Sequence, residues 1–337
     1  MAFFSNIQNR LWANVQYKFS TIFCSLYVVL FLGHAGGNKI LWYIFISILL
    51  SMGIAGMGYV LNDYHDYHDD IKNGKQNLFI NFSKATSILL VACFLFLSVF
   101  PWFILPFDRF SLLFISLEFI LFIVYALPPF RLKERGLAGV VTDALYAQVV
   151  PCVLAVYTYS KIVSHISVTG SFLLLYVVWL ILMGIRNILN HQIEDYDNDM
   201  NSQTQTFVTA HSVHKSKTWV MHLIVPFEWL LFFLLLFFLP ETRHLFLYAY
   251  ILYISAYLLK ERVSKNAPLF SDFNVRYDFI NKQLLNEFYE IHLPLLLLCY
   301  FSFYQPFFIW ILSLNLLLFF PIYLRYTIGF IKKYFHF

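Results

Sequence analysis

The sequence predicts an all-α, polytopic bundle of transmembrane helices, and three observations carry that prediction. Sixty per cent of the 337 residues are hydrophobic. Only 12% are charged, about half the fraction usual in a soluble globular domain. The apolar residues fall into runs close to the ~20 residues that a helix needs to cross a bilayer. Phe alone occurs 39 times, and a water-soluble chain of this length could not bury so much apolar surface. The same composition excludes disorder, which needs low hydrophobicity and high net charge. A net charge of +4 is too small and too dispersed to suggest a nucleic-acid partner. Cys24, Cys93, Cys152 and Cys299 stand singly in apolar runs with no CxxC spacing. They read as buried small hydrophobes, not as a disulfide framework or a metal site.

Residues 1–337 read as one transmembrane domain. At its start, residues 3–16 place Phe4, Ile7, Leu11 and Val15 on one helical face. This predicts an interfacial amphipathic helix within residues 1–18, lying on the membrane before the first span. The pattern of a removable signal peptide is absent. Spans follow near 20–34, 40–61, 85–105, 110–127, 138–159, 170–189, 218–239, 244–259, 287–304 and 306–327. The eighth is short and Gln305-Pro306 alone separates the last two, so the count is nine or ten. With ten spans, eighteen Lys and Arg fall on the side of the N-terminus, and only Lys39, Arg109, Lys161 and Arg243 on the other. Positive charge marks the cytoplasmic side. Both termini and the loops after spans 2, 4, 6 and 8 are therefore expected in the cytoplasm. Nine spans would strand Lys332 and Lys333 outside, which favours ten.

The acids are distributed differently. Asp63, Asp66, Asp69 and Asp70 form one cluster after span 2, and Glu194, Asp195, Asp197 and Asp199 form another after span 6. Asn62, Asp66 and Asp70 are spaced i, i+4, i+8, and Asp63 lies three before Asp66; on a helix continuing from span 2 they share a face. Asp195 and Asp199 share a face in the same way. Like charges at that spacing repel, so the pattern calls for a compensating cation. Carboxylates without Cys suit a hard, oxygen-preferring ion, Mg²⁺ above all. Mg²⁺ takes one or two carboxylates and completes its shell with water and phosphate oxygens, so two facing acid pairs suit a diphosphate. The alternative is that the acids are solvated loop caps, and Asp69, Glu194 and Asp197 fall off the best face. His65 and His68, three apart, invite a zinc reading, but they sit off the carboxylate face with no second His pair close by.

Between spans 4 and 5, Pro128-Pro129 ends a helix and fixes an extended turn. Arg131, Lys133 and Arg135 then alternate beside the membrane. By parity this loop faces the acid clusters, where a basic group would neutralise a departing diphosphate. An ordinary positive-inside loop is the alternative, and the preferred one for Arg135. Lys75 and Asn77 are further candidates for phosphate contact, while Gly74 reads as a helix cap.

These residues resemble the motifs of the UbiA superfamily of intramembrane prenyltransferases. Asn62-Asp63-x-x-Asp66-x-x-x-Asp70 is similar to the first aspartate motif and Asp195-x-x-x-Asp199 to the second. Thr206 follows where the family often has a Thr in a short G-x-x-T run, and His191-Gln-Ile-Glu-Asp195 looks like the lead-in of bacterial members. Tyr125 to Gly136 resembles the Y-S-x-P-P-x-R-L-K-x-R-G loop. The resemblance runs from about residue 15 to 240. Ala126 departs from the usual small polar residue, and Gln203 stands where Gly is common. The resemblance implies about nine helices around a cavity open to lipid. Within it, Asp-bound Mg²⁺ grips an isoprenyl diphosphate and an allylic cation is attacked by an acceptor, most commonly an aromatic acid or quinone precursor. It also implies an integral, multi-pass protein of a bacterial cytoplasmic membrane, with its site facing the cytoplasm. The implied metal set is Asn62, Asp63, Asp66, Asp70, Asp195 and Asp199. The implied diphosphate contacts are Asn62, Lys75, Asn77, Arg131, Lys133, Arg186 and Asn190, with Arg131 and Lys133 also catalytic.

Charged groups within spans are functional candidates by default. Arg186 could reach the diphosphate or pair with an acid. Asp143 could orient an acceptor or pair with a lysine. Glu118 and Glu228 could take the final proton or simply hydrogen-bond between helices. Residues 286–294 carry polar groups into an apolar span, as an acceptor-pocket border or a kinked membrane-edge segment. Two rival activities remain: a terpene cyclase using the same diphosphate, and a transporter, for which spans 1–2 and 5–6 with their acid loops form a weak internal repeat.

Overall fold

The computed structural model describes residues 13–72, 74, 77, 79–80, 82–163, 169–238, 243–263 and 272–335. Most of the predicted interfacial helix, and Lys75, lie outside the described residues. Residues 13–16 instead begin the first long helix. All regular elements among the described residues are helical. They are α1 Ala13–Leu32, α2 Asn38–His65, α3 Tyr67–Lys72, α4 Lys84–Val99, α5 Arg109–Ala126, α6 Leu137–Ile162, α7 Gly170–Glu194, α8 Tyr196–Asn201 and α9 Phe207–His211. Then come α10 Val213–Leu236, α11 Arg243–Val263, α12 over 273–304 and α13 Phe308–Phe335.

Each predicted apolar run carries one of the long helices. Six are long and apolar enough to cross a membrane: α2, α4 with the turn that extends it to Phe103, α5, α6, α7 and α10. Shorter apolar stretches, Thr21–Leu32, Phe246–Ser255 and Phe308–Pro321, lie in α1, α11 and α13. The composition and these helices make an integral membrane protein. The helix α12 is the polar exception, with Asn281, Lys282, Asn286, Glu287 and Glu290 along it.

Helix starts are set by short polar side chains. Asp108 accepts from the backbone N–H groups of Phe110 and Ser111, both at 3.0 Å, and so caps α5. Lys161 and Tyr157 of α6 donate to its other oxygen. The hydrogen bond from Lys161 holds the Asp108 carboxyl below the ordinary carboxylate range.

Among the described residues, four helices contain an internal proline; Pro321 sits in regular α13, and in the other three the proline follows a wider, π-type turn. Pro151 follows Leu145–Val149, Pro226 follows Val220–Ile224, and Pro294 follows the long stretch Phe279–His292. Proline has no N–H and crowds the carbonyl one turn earlier, and a wider turn relieves both faults. Two of these swellings aim polar residues inward: Tyr146 and Gln148 from α6, and Lys282, Asn286 and Glu290 from α12.

Several glycines allow close approaches, and two of them lie by the cavity and the basic loop. A Cβ on Gly184 of α7 would lie 2.8 Å from the Cα of Ala144, so α7 presses directly on α6. One on Gly139 would lie 2.5 Å from the Leu132 carbonyl, so the start of α6 presses on the basic loop. The main apolar core draws on α1, α2, α6, α7 and α9 to α13. Cys24 and Cys152 are buried in it, as predicted, but Cys93 and Cys299 face outward. An outward face in this bundle is apolar, and a thiol suits it equally.

Candidate functional site

The first acid motif spans the end of α2 and all of α3. The predicted single helix is broken by a bend at Asp66, which has φ −87° and ψ 2°. The hydrogen-bond ladder still runs through it, with Asp66 N–H donating to Asn62 and Asp70 N–H to Asp66. Asp63 and Asp70 are buried, 1% and 8% exposed. Asn77, also buried, returns from beyond the motif and donates at 2.7 Å both to the Asp63 carbonyl and to an Asp70 carboxylate oxygen. Its own side-chain Oδ1 accepts from Phe79 N–H. Asn77 thus fixes the motif, a more indirect place than the predicted phosphate contact.

The basic loop comes to this motif. Leu127, before the prolines, is extended as expected, but the alternation predicted for 131–135 is replaced by a tight turn. Arg131 has left-handed backbone angles, and Leu132–Glu134 form one helical turn. Lys133 donates to both carboxylate oxygens of Asp66 and, at 3.2 Å, to Asn62 Oδ1. Arg131 reaches Asp66 at 3.5 Å and pairs with Glu134 at 2.5 Å. Arg135 turns back to the Pro129 carbonyl at 2.7 Å and serves the loop itself.

The second motif repeats the path. Asp195 bends the chain with φ −91° and ψ 3° after α7, and α8 follows. His191 lies 3.6 Å from the Asp195 carboxylate. Glu194 pairs with Lys282 at 2.9 Å, and Asp197 is exposed, in keeping with their off-face positions. Thr206 caps α9 by accepting from Thr209 N–H. Asn190 accepts from Tyr277 Oη and donates to Asn281 at 3.4 Å.

Both motifs flank one cavity of about 510 Å³. Asn62 lines it from one side, and Asn190, His191 and Glu194 from the other. Tyr125 lines it too, within electrostatic reach of both Asp66 and Asp199. Its ring lies 5.1 Å from that of Tyr146, which in turn lies 4.9 Å from Phe122. Below the mouth the walls are mainly apolar, from α1, α2, α5, α6 and α7.

Arg186 is placed elsewhere. It is fully buried and forms a two-pronged pair with Glu228, at 2.7 and 3.1 Å, and donates to Asn286 at 2.6 Å. The pair ties α7, α10 and α12 together, so Glu228 is a helix-to-helix partner and Arg186 is spent on it. Sequence reasoning did not foresee the Phe122–Tyr125–Tyr146 wall or Gly139. Tyr125 was visible only as part of the loop motif. Gly139 carries no spacing signal, because its role depends on which backbone approaches it.

The candidate metal donors of the two motifs are oxygens: five carboxylates and the Asn62 amide. Among the described residues no three His, Cys, Asp or Glu side chains converge into a ready cage. That set fits Mg²⁺, which needs few protein ligands and keeps room for water and phosphate oxygens.

No curated protein matches the chain. Among solved structures, a UbiA homolog from Archaeoglobus fulgidus bound to GPP and Mg²⁺ superposes with a TM-score of 0.54 at 16% identity, over 85% of this chain and 98% of that one. The same homolog bound to DMAPP and Mg²⁺ gives 0.54 at 15%, with the same coverage. Bound to Cd²⁺, it gives 0.51 at 15%. These likenesses show a shared fold. The family model for UbiA prenyltransferases matches residues 21–273, well over half of the chain and both acid motifs, and the chain belongs to the UbiA prenyltransferase family.

Proposed function

We propose that this protein is an Mg²⁺-dependent intramembrane prenyltransferase. It moves an isoprenyl group from an isoprenyl diphosphate to a small-molecule acceptor, with its site facing the cytoplasm. The observation that carries this reading is the meeting of Asp66, Lys133 and Arg131 beside Asn62, which lines a largely apolar cavity. The GPP- and DMAPP-bound relatives support it.

Asn62, Asp63, Asp66, Asp70, Asp195 and Asp199 are the residues that would hold the ions. Mg²⁺ bound there supplies positive charge against the diphosphate oxygens. Lys133 and Arg131 lie where they can pass from Asp66 to those oxygens, and Lys75 is a further candidate. Asn77 keeps Asp63 and Asp70 in place, while Asn190 ties the end of α7 to α12 through Tyr277 and Asn281. The allylic C–O bond breaks with its electron pair going to the diphosphate. Facing the allylic cation, Phe122, Tyr125 and Tyr146 present π-faces that steady positive charge, and the apolar walls below exclude water. The acceptor forms the new bond and gives up a proton.

The test is product analysis with the purified protein in bilayers, an isoprenyl diphosphate and Mg²⁺, with and without a panel of acceptors. Prenylated acceptor is expected, and chelation of Mg²⁺ should abolish it. A cyclic hydrocarbon or alcohol as the main product without acceptor would replace this reading with terpene cyclisation.

A further inference from the structure

The mainly apolar cavity below the diphosphate position carries three acids and, among the described residues, offers no uncommitted cation. Asp143 and Tyr146 stand on α6, with Tyr146 donating to the Asp143 carboxylate. Glu118 lines it from α5 and is 2% exposed, and Glu290 lines it from α12. Among the described lining residues Lys282 is the one Lys or Arg. It sits at the rim, more than half exposed, and is held by Glu194 and Asp278. Arg186, the nearest buried cation on α7, is consumed by Glu228 and Asn286.

Two lining atoms also lack a partner among the described residues. Thr158 is 3% exposed, and its hydroxyl, in the cavity wall, makes no hydrogen bond. Asn187 has a buried Oδ1 with no donor, about two turns inside the end of α7. A buried polar atom left unsatisfied is destabilising, so such atoms in a cavity call for a polar ligand.

Resting on the prenyl-transfer reading, we infer that the acceptor is an uncharged, hydroxylated molecule such as a phenol, and not a carboxylate. Ionised, Glu118, Asp143 and Glu290 repel an anion in a medium that screens poorly. Protonated, they still supply no positive charge to offset its desolvation. A hydroxyl suits every one of these groups: it can donate to a carboxylate or to Asn187 Oδ1, and can accept from Thr158. A cationic acceptor is disfavoured by the cost of taking an isolated charge to membrane depth. The assignment narrows the acceptor class by excluding the aromatic acids expected from the family resemblance.

The experiment uses the full chain in detergent and two probes that differ by one carboxylate, 1-naphthol and 1-hydroxy-2-naphthoate. Equilibrium binding is measured at neutral pH without diphosphate, and partition into protein-free micelles is subtracted. 1-Naphthol should bind at least about tenfold more tightly. Replacing the two flanking acids together, Asp143→Asn with Glu290→Gln, should shrink that ratio by strengthening carboxylate binding. Equal or tighter binding of the carboxylate by the unaltered protein, or binding of neither probe, overturns the inference. Should the double variant fail to fold, the unaltered protein's ratio decides alone. Selective 1-naphthol binding in a chain that transfers no prenyl group would overturn the function proposed above and leave this assignment standing.

Discussion

At residues 62–74 a long helix ends, bends at Asp66, resumes for six residues in α3 and turns away through Gly74 at φ 65°. At residues 191–203 the same path recurs: Asp195 bends the chain, α8 runs for six residues, and Gln203 turns away at φ 57°. The backbones match, but the neighbours do not. Asp66 is met from across the fold by Lys133 and Arg131. Asp195 is met by His191, one turn earlier on its own helix. The helices behind them differ as well. Arg186 anchors α7 through a buried ion pair, whereas the corresponding Met57 of α2 packs in an apolar cluster with Val60 and Phe94. A repeated turn therefore provides two sets of carboxylates, and non-repeated elements decide how each is held: a basic loop for the first motif, an interior salt bridge for the second.

The most severe test removes the acids. Asp66→Ala and Asp195→Ala should each reduce Mg²⁺-dependent release of diphosphate from an isoprenyl diphosphate by more than about a hundredfold, since each deletes charge aimed at the reacting group. Full activity in both variants would refute the proposed chemistry. Their thermal midpoints should differ, because only Asp66→Ala strands the half-buried Lys133. Equal midpoints would break the comparison.

Arg186→Ala comes next. It leaves Glu228, which is fully buried, without its cation, and should destabilise the protein by about 3–5 kcal/mol. Replacing both partners by apolar residues of similar size should recover most of that loss, because the pair itself contributes little beyond its mutual neutralisation. Denaturation in detergent measures both. If Arg186→Ala stayed as stable as the parent yet lost diphosphate binding, the guanidinium would belong to the site after all. A smaller effect is expected for Lys133→Met. Losing charge-assisted hydrogen bonds of about 1.5–3 kcal/mol should weaken diphosphate binding roughly tenfold to a hundredfold while leaving the fold intact.

Much of this was legible in the sequence, for reasons that differ by region. Helix positions were readable because apolar runs of membrane length leave few alternatives. The acid motifs were readable because clustered carboxylates are conspicuous in so apolar a chain. Arg186 was visible as an intramembrane charge, but its partner was not, since Glu228 lies a helix away and nothing in the spacing joins them. The π-type turns before Pro151, Pro226 and Pro294 were marked only by the prolines. The cavity wall of Phe122, Tyr125 and Tyr146 was hidden among 39 Phe and 23 Tyr residues, most of which face lipid or pack helices. Gly139 needed the folded loop to show its purpose.

The finest distinction between the two turns lies at positions 74 and 203. Both have left-handed backbone, which a residue with a Cβ adopts at a cost of roughly 1–2 kcal/mol. The first turn has glycine there and the second has glutamine, at the position where the family commonly has glycine. No described residue lies within 4 Å of a Cβ placed on Gly74, so Gly74→Ala is expected to meet backbone strain and to destabilise by about 1 kcal/mol. Gln203→Gly should do the reverse, raising stability by about 1 kcal/mol less what glycine adds to the freedom of the unfolded chain. Opposite shifts of similar size in the two thermal midpoints would confirm that the turns are backbone equivalents. A fall in stability on Gln203→Gly would mean that the glutamine side chain holds the second turn in a way that the first does not need.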